Sequence, residues 1–346
     1  MNNKTPLLSL ENVSVAFGKV EPIAVTDKVS FEIYSGEFFA LVGESGSGKS
    51  VTAMSILKLL PTPGASILSG KILFDGNDLL ALSKKDLKKI RGKKISCVFQ
   101  EAMAALNPVI RIRKQLMEAL PSGESVERIY ELMKFAGFTD IERVLDSYPH
   151  ELSGGMLQRI CIVMALLPSP KLLIADEPTT ALDVTVQAQI MELLKNLSEK
   201  FGTAVLLITH NMGLVAQYAQ RVAVMYAGRI VESGTSQEVI ESPMHPYTIG
   251  LLNALPDSKR TLEELVSIPG TVPAPMDFKE GCRFRDRCNR ASEKCNAYPP
   301  FFERRSACSK NSKYLPLAAS INITSYSSVK YGNISKASPS NTLILS

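Results

Sequence analysis

Eight residues constrain this chain more than any others: Gly43-Glu44-Ser45-Gly46-Ser47-Gly48-Lys49-Ser50. The spacing G-x-x-x-x-G-K-S stands between an apolar run, Phe38–Gly43, that reads as a buried strand, and a helix-period segment from Lys49 to Leu60. Glycines let consecutive backbone N–H groups converge on one point without Cβ obstruction. The helix start adds partial positive charge at the same place. Such a loop fits a phosphate chain, with Lys49 reaching β- and γ-phosphates and the Ser50 hydroxyl ligating Mg²⁺. The strand–turn–helix context predicts an α/β fold.

A second apolar run, Leu172–Ala175, ends in Asp176-Glu177. A buried strand there delivers Asp176 to the Mg²⁺ shell at the carboxyl end of the sheet, where α/β proteins bind ligands. Glu177 then suits a general base acting on a water. Further strands are predicted at Ala204–Thr209, Arg221–Tyr226 and Arg229–Glu232, and a helix near Val184–Lys200. Lys71–Phe74, followed by Asp75-Gly76, reads as an edge strand and a turn. Residues 110–165 lack strand signals and read as a helical insertion. Cys97 and Cys161 sit in apolar runs and read as core thiols.

At Leu152-Ser153-Gly154-Gly155-Met156 the motifs together resemble the ATP-binding subunits of ABC transporters, over roughly residues 5–255. The resemblance implies a P-loop NTPase cassette: a RecA-like core, an antiparallel β subdomain and a helical signature subdomain. It also implies the site residues. ATP lies on Phe17, which resembles the adenine-stacking aromatic, and on Gly43, Ser45, Gly46, Ser47, Gly48, Lys49, Ser50 and Val51. Mg²⁺ is held by Ser50, Gln100 and Asp176; Glu177, His210, Lys49 and Gln100 carry catalysis. Ser153, Gly154, Gly155 and Asp183 contact the ATP of a second, related ATPase subunit in a head-to-tail heterodimer, because this chain has one phosphate loop and one signature.

Two stretches resemble a narrower group, the oligopeptide and dipeptide (peptide/nickel) importers. They are Gln100-Glu101-Ala102-Met103-Ala104-Ala105-Leu106-Asn107-Pro108 and His245-Pro246-Tyr247-Thr248-Ile249-Gly250-Leu251-Leu252. Ala102 replaces the usual proline, and Leu157 an often basic residue. The function implied is ATP hydrolysis that energises peptide import. Two transmembrane permease subunits and, indirectly, an extracytoplasmic substrate-binding protein are its partners. The place implied is the cytoplasmic face of the inner membrane, peripherally. Nickel or another small solute as cargo, and a soluble non-transport ABC ATPase, are the alternatives.

Four cysteines crowd together as Cys282-x₅-Cys288-x₆-Cys295-x₁₂-Cys308. The spacing differs from zinc ribbons and from ferredoxin runs, so on spacing alone the metal is undetermined. The segment resembles the C-terminal extension of peptide importers, some of which bind a [4Fe–4S] cluster; zinc or plain reduced thiols are the other readings. The predicted divisions are a nucleotide-binding domain at 1–255 with its helical subdomain at about 101–165, the extension at 256–310, and a disordered Ser/Asn/Lys tail at 311–346. The net charge of +5 first suggests an anionic partner. Residues 310–346, however, carry four lysines and no acid, so the rest is nearly neutral and nucleic acid is not expected as a partner. No apolar run reaches the ~18 residues of a membrane span and no leader is evident, so a cytosolic chain is expected.

Overall fold

The computed structural model describes residues 5–100, 102–180, 182–255 and 268–297. The strands are β1 Leu8–Phe17, β2 Ile23–Ile33, β3 Phe38–Val42, β4 Ala65–Phe74, β5 Asn77–Asp78, β6 Ile95–Val98, β7 Leu172–Asp176, β8 Ala204–Thr209, β9 Arg221–Tyr226 and β10 Arg229–Thr235. They form two sheets. One is antiparallel with order β2-β1-β4-β5; the other has order β10-β9-β3-β8-β7-β6 and is parallel except for β10.

The central strands β3, β7 and β8 are buried at every position. Both faces of a parallel sheet are covered, so such strands read as unbroken apolar runs. One face packs the helical region and the other packs the antiparallel sheet. Phe38, Leu173, Val205 and Leu207 join the first cluster, whereas Phe39, Leu41, Ile174 and Leu206 join the second.

The helices are α1 Lys49–Ile56, α2 Lys84–Leu87, α3 Ala102–Ala105, α4 Ile112–Ala119, α5 Glu127–Phe135, α6 Ile141–Asp146, α7 Gly154–Leu166, α8 Val184–Phe201, α9 Met212–Tyr218, α10 Ser236–Glu241, α11 Pro246–Asn253 and α12 Lys294–Ala297. Helices α4 to α7 have apolar stripes that meet in one cluster: Ile112 and Leu116, Ile129 and Leu132, Val144 and Leu145, then Ile160 and Val163. Leu157 is buried in it, which accounts for an apolar residue there. On the surface of this region, Arg113 pairs with Glu142 at 2.7 Å and Asp146 at 3.0 Å. No helix among the described residues is long and apolar enough to cross a membrane.

The antiparallel sheet departs from the sequence reading. The strand expected at Lys71–Phe74 as an edge begins at Ala65 and lies inside the sheet, between β1 and β5. Most of its outer half is exposed, so Ser66, Ser69 and Gly70 hide the alternation. The turn after it is as expected, with Asp75 at φ 51° and Gly76 at φ 77°.

Residues 268–297 dock through Phe284, which is buried against Tyr226, Tyr247 and His245. His245 caps α11 by accepting the Tyr247 N–H at Nδ1 (3.1 Å), and complete burial depresses its pKa to about 3.

Candidate functional site

The phosphate loop leaves the carboxyl end of β3 and enters α1. Gly48 is the N-cap of α1 at φ 102°, a left-handed conformation that suits glycine. The loop is fixed from behind by the body of the protein. Gly228 N–H donates to Ser47 O at 2.8 Å, and Tyr247 Oη accepts the Glu44 N–H at 2.8 Å. Lys49 Nζ folds onto the loop, donating to Gly43 O at 2.7 Å and Glu44 O at 3.0 Å. Burial lowers its pKa, against the pull of Glu177, Asp176 and Glu44. Ser47 Oγ is fully buried with no hydrogen-bond partner among the described residues. A buried cation and an orphaned hydroxyl in one loop fit an anionic ligand with acceptor oxygens. Ser45 and Gly46 lie exposed at the loop tip, and Val51 is half-buried in α1.

Beside the loop, Ser50 Oγ donates to Asp176 Oδ1 at 3.1 Å. Burial raises the Asp176 pKa, offset in part by the Ser50 hydrogen bond. A hydroxyl and a carboxylate at this spacing form the all-oxygen donor set that a hard dication takes. Gln100 follows β6, whose Val98 pairs with Ala175, so it emerges at the same sheet end as Asp176; its side chain is exposed.

Glu177 has φ 45°, strained for a non-glycine residue, and is held there by its N–H to Ile208 O at 2.9 Å. Its Oε2 accepts the Thr180 hydroxyl at 2.8 Å and its Oε1 lies 3.3 Å from His210 Nδ1. Burial pushes the Glu177 pKa up, but Thr180, His210 and Lys49 outweigh it and the net shift is downward. The carboxylate is therefore ionised and oriented. Thr180 was not singled out from sequence; its position three residues after Glu177 is the only signal it carries.

Phe17 ends β1, half-buried against Ile23 and Ala65 of the neighbouring strands. Ser153 stands at the start of α7 and Asp183 at the start of α8. Each N-caps a helix, accepting Met156 N–H at 3.4 Å and Val186 N–H at 2.9 Å. The two helix starts abut, since a Cβ on Gly155 would stand 2.5 Å from Val186 Cγ1. Ser153, Gly154 and Asp183 are exposed. Asp183 and Ser153 thus share one face.

The cysteines divide. Cys161 is buried and Cys97 half-buried, and burial pushes both thiols up to about 12, as core thiols. In the extension, Cys288 Sγ accepts the Arg290 N–H at 3.3 Å, and Cys295 Sγ lies 3.7 Å from Ser292 Oγ. Among the described residues no three His, Cys, Asp or Glu side chains are grouped to hold a metal ion. Cys308 lies outside the described residues. The expected four-cysteine [4Fe–4S] set is therefore incomplete among the described residues.

Fold and loop together define an ATP-binding cassette ATPase: residues 26–180 match the ABC transporter family and residues 231–295 the C-terminal region of oligopeptide/dipeptide transporters. An oligopeptide transport ATP-binding protein of Bacillus subtilis is 47% identical, over 84% of this chain and 90% of that one. A dipeptide transport ATP-binding protein of Haemophilus influenzae is 44% identical, over 85% and 91%. Among solved structures, cbiO1 of Clostridium perfringens, part of an ABC transporter complex, has a TM-score of 0.60 and 28% identity, covering 68% of this chain and 91% of that one. A dimeric ATP-binding cassette in a post-hydrolysis state, bound to ADP and Pi, has a TM-score of 0.58 and 31% identity, covering 66% and 98%. The chain belongs to the ATP-binding proteins of the oligopeptide/dipeptide ABC transporter family.

Proposed function

We propose that this ATPase energises peptide import, and that its site residues act as follows. The phosphate loop, Gly43 to Ser50, takes the β- and γ-phosphates, with Lys49 leaving its loop carbonyls for phosphate oxygens. Ser50, Asp176 and Gln100 would hold Mg²⁺, which would neutralise the phosphate charge when bound. Glu177 accepts the proton of the attacking water, oriented by Thr180 and His210. Phe17 stacks on the adenine, and Val51 lines the loop's helix start. The observation that carries this reading is the Glu177 carboxylate: strained backbone, two side-chain partners, and a pKa held down although it is half-buried.

The signature residues Ser153, Gly154 and Gly155, with Asp183, serve the nucleotide of a second, related ATPase subunit. Their exposure and shared face support this role, as does the dimeric state of the relative bound to ADP and Pi. Closure of the two subunits on ATP drives the permease subunits, and loss of the γ-phosphate lets them part. The chain works at the cytoplasmic face of the membrane, bound to two transmembrane permease subunits that a substrate-binding protein supplies. The names of the relatives support peptides as the cargo. An iron–sulfur cluster carries no step of this reading.

The test is reconstitution. Purification through this chain should recover two membrane subunits and a second ATPase, and vesicles holding the complex and its binding protein should accumulate labelled di- or oligopeptide only with ATP. ATP-driven accumulation of nickel without peptide, or a complex lacking membrane subunits, would contradict it.

A further inference from the structure

The phosphate loop carries a negative charge of its own. Glu44, its second residue, is gripped by Arg287 from the cysteine-bearing segment, 243 positions away: Nη1 donates to Oε2 at 2.9 Å and Nη2 to Oε1 at 3.0 Å. This is the bidentate fork that arginine forms with a carboxylate. The Arg287 side chain is 7% exposed and Glu44 31%, so solvent screens the pair poorly. Arg287 is also fixed independently of Glu44. Its Nε donates to Pro269 O at 2.7 Å and its Nη2 to Gly270 O at 3.1 Å, and its guanidinium lies over Tyr226 and Phe284.

The charge on Glu44 reaches the catalytic end of the loop. It is one of the three carboxylates that favour the protonated Lys49, and Lys49 Nζ already touches the Glu44 carbonyl at 3.0 Å. A second strut parallels the first. Arg283 Nη1 donates to Ala227 O at 2.5 Å and Nη2 to Asp27 at 3.2 Å, while Arg229 ties Asp27 to Gly281 O. The next residue, Gly228, holds Ser47 of the loop. The stretch between Cys282 and Cys288 therefore reaches the phosphate loop directly at Glu44 and, by way of Ala227 and Gly228, at Ser47.

An unpaired carboxylate beside a polyphosphate repels it, and in a half-buried site that repulsion is strong. We infer that Arg287 is a positioning residue for nucleotide binding: it neutralises the carboxylate of Glu44 and holds it off the phosphates, so that affinity for ATP depends on the docking of the cysteine-bearing segment. The inference rests on the reading of Gly43 to Ser50 as the ATP loop. It concerns KM, because Arg287 touches no reacting atom, and it predicts that removing the Glu44 charge relieves the loss of Arg287.

The experiment measures ATP KM, kcat and equilibrium ATP affinity on the intact transporter complex carrying Arg287→Met, Glu44→Gln, or both. Arg287→Met is expected to raise KM and Kd about tenfold with kcat within about threefold, and the double variant to return both to within about threefold of the parent. If Arg287→Met fails to assemble, Arg287→Lys keeps the charge without the fork; a KM rise of about threefold, reversed by Glu44→Gln, is then expected. A KM unchanged in the arginine variant that assembles, or a double variant as weak as the arginine variant alone, overturns the inference. A parent complex that binds no ATP, or one whose affinity survives Lys49→Ala, overturns the reading of the loop itself.

Discussion

The phosphate loop and the signature face are both helix starts, yet they are built in opposite ways. At the loop, Ser47 and Lys49 are buried, and the backbone is held by Gly228, Tyr247 and Thr209. At the signature, Ser153 and Gly154 face solvent, and Ser153 caps its own helix. A preformed, desolvated half binds a ligand by itself, because the costs of ordering and desolvation were met on folding. An exposed half with unused donors gains its value only when something covers it. On the proposed reading, the contrast lets one chain hold one nucleotide and still be half of each of two sites.

The largest expected effect strikes the buried half. Glu177→Gln removes the proton acceptor but keeps the shape, so turnover of the assembled complex should fall about a thousandfold while ATP still binds. Turnover within tenfold of the parent would remove Glu177 as the base. Thr180→Val tests what orients that base. Without the hydroxyl the Glu177 pKa rises, so the acid limb of the pH–turnover profile should move to higher pH and turnover at neutral pH fall about tenfold. An unmoved acid limb would show that Thr180 does not act on Glu177.

A smaller effect reaches the support behind the loop. His245, with a pKa near 3 in the folded chain, takes up its proton at about 6.5 once unfolded. Its contribution to stability is therefore complete above about pH 6.5 and is lost as pH falls toward 3, by at most about 1.4 kcal/mol per pH unit. Denaturant unfolding at pH 7.5 and 5.5 should show that loss, and His245→Gln should reduce the pH slope. An unchanged slope would mean that another group sets it.

What the sequence disclosed follows the range of the forces involved. Motifs contained in one strand–loop–helix, such as Gly43–Ser50 and Leu172–Glu177, were legible because local geometry and chemistry share the same residues. The apolar runs of β3, β7 and β8 were legible because both faces are buried. The strands β1 and β2 gave no such signal. Their register shifts near Asn12 and Val15, with Asn12 at φ 53° and Lys28 at φ 50°, break the alternation that marks a strand. The Arg287–Glu44 clamp was invisible for another reason: a pair 243 residues apart leaves no local pattern. The expected cluster at Cys282, Cys288, Cys295 and Cys308 came from the resemblance alone, since the spacing left the metal undetermined, and Cys308 lies outside the described residues.

On the proposed reading, the two helix starts of this chain serve two different nucleotides. Ser153→Glu tests it directly, because it puts a negative charge where the signature should meet a phosphate. ATP affinity of the isolated chain should stay within about twofold of the parent, while turnover of the assembled transporter falls about a hundredfold. Loss of ATP affinity in the isolated chain, in step with turnover, would show that Ser153 serves its own phosphate loop and would contradict the account.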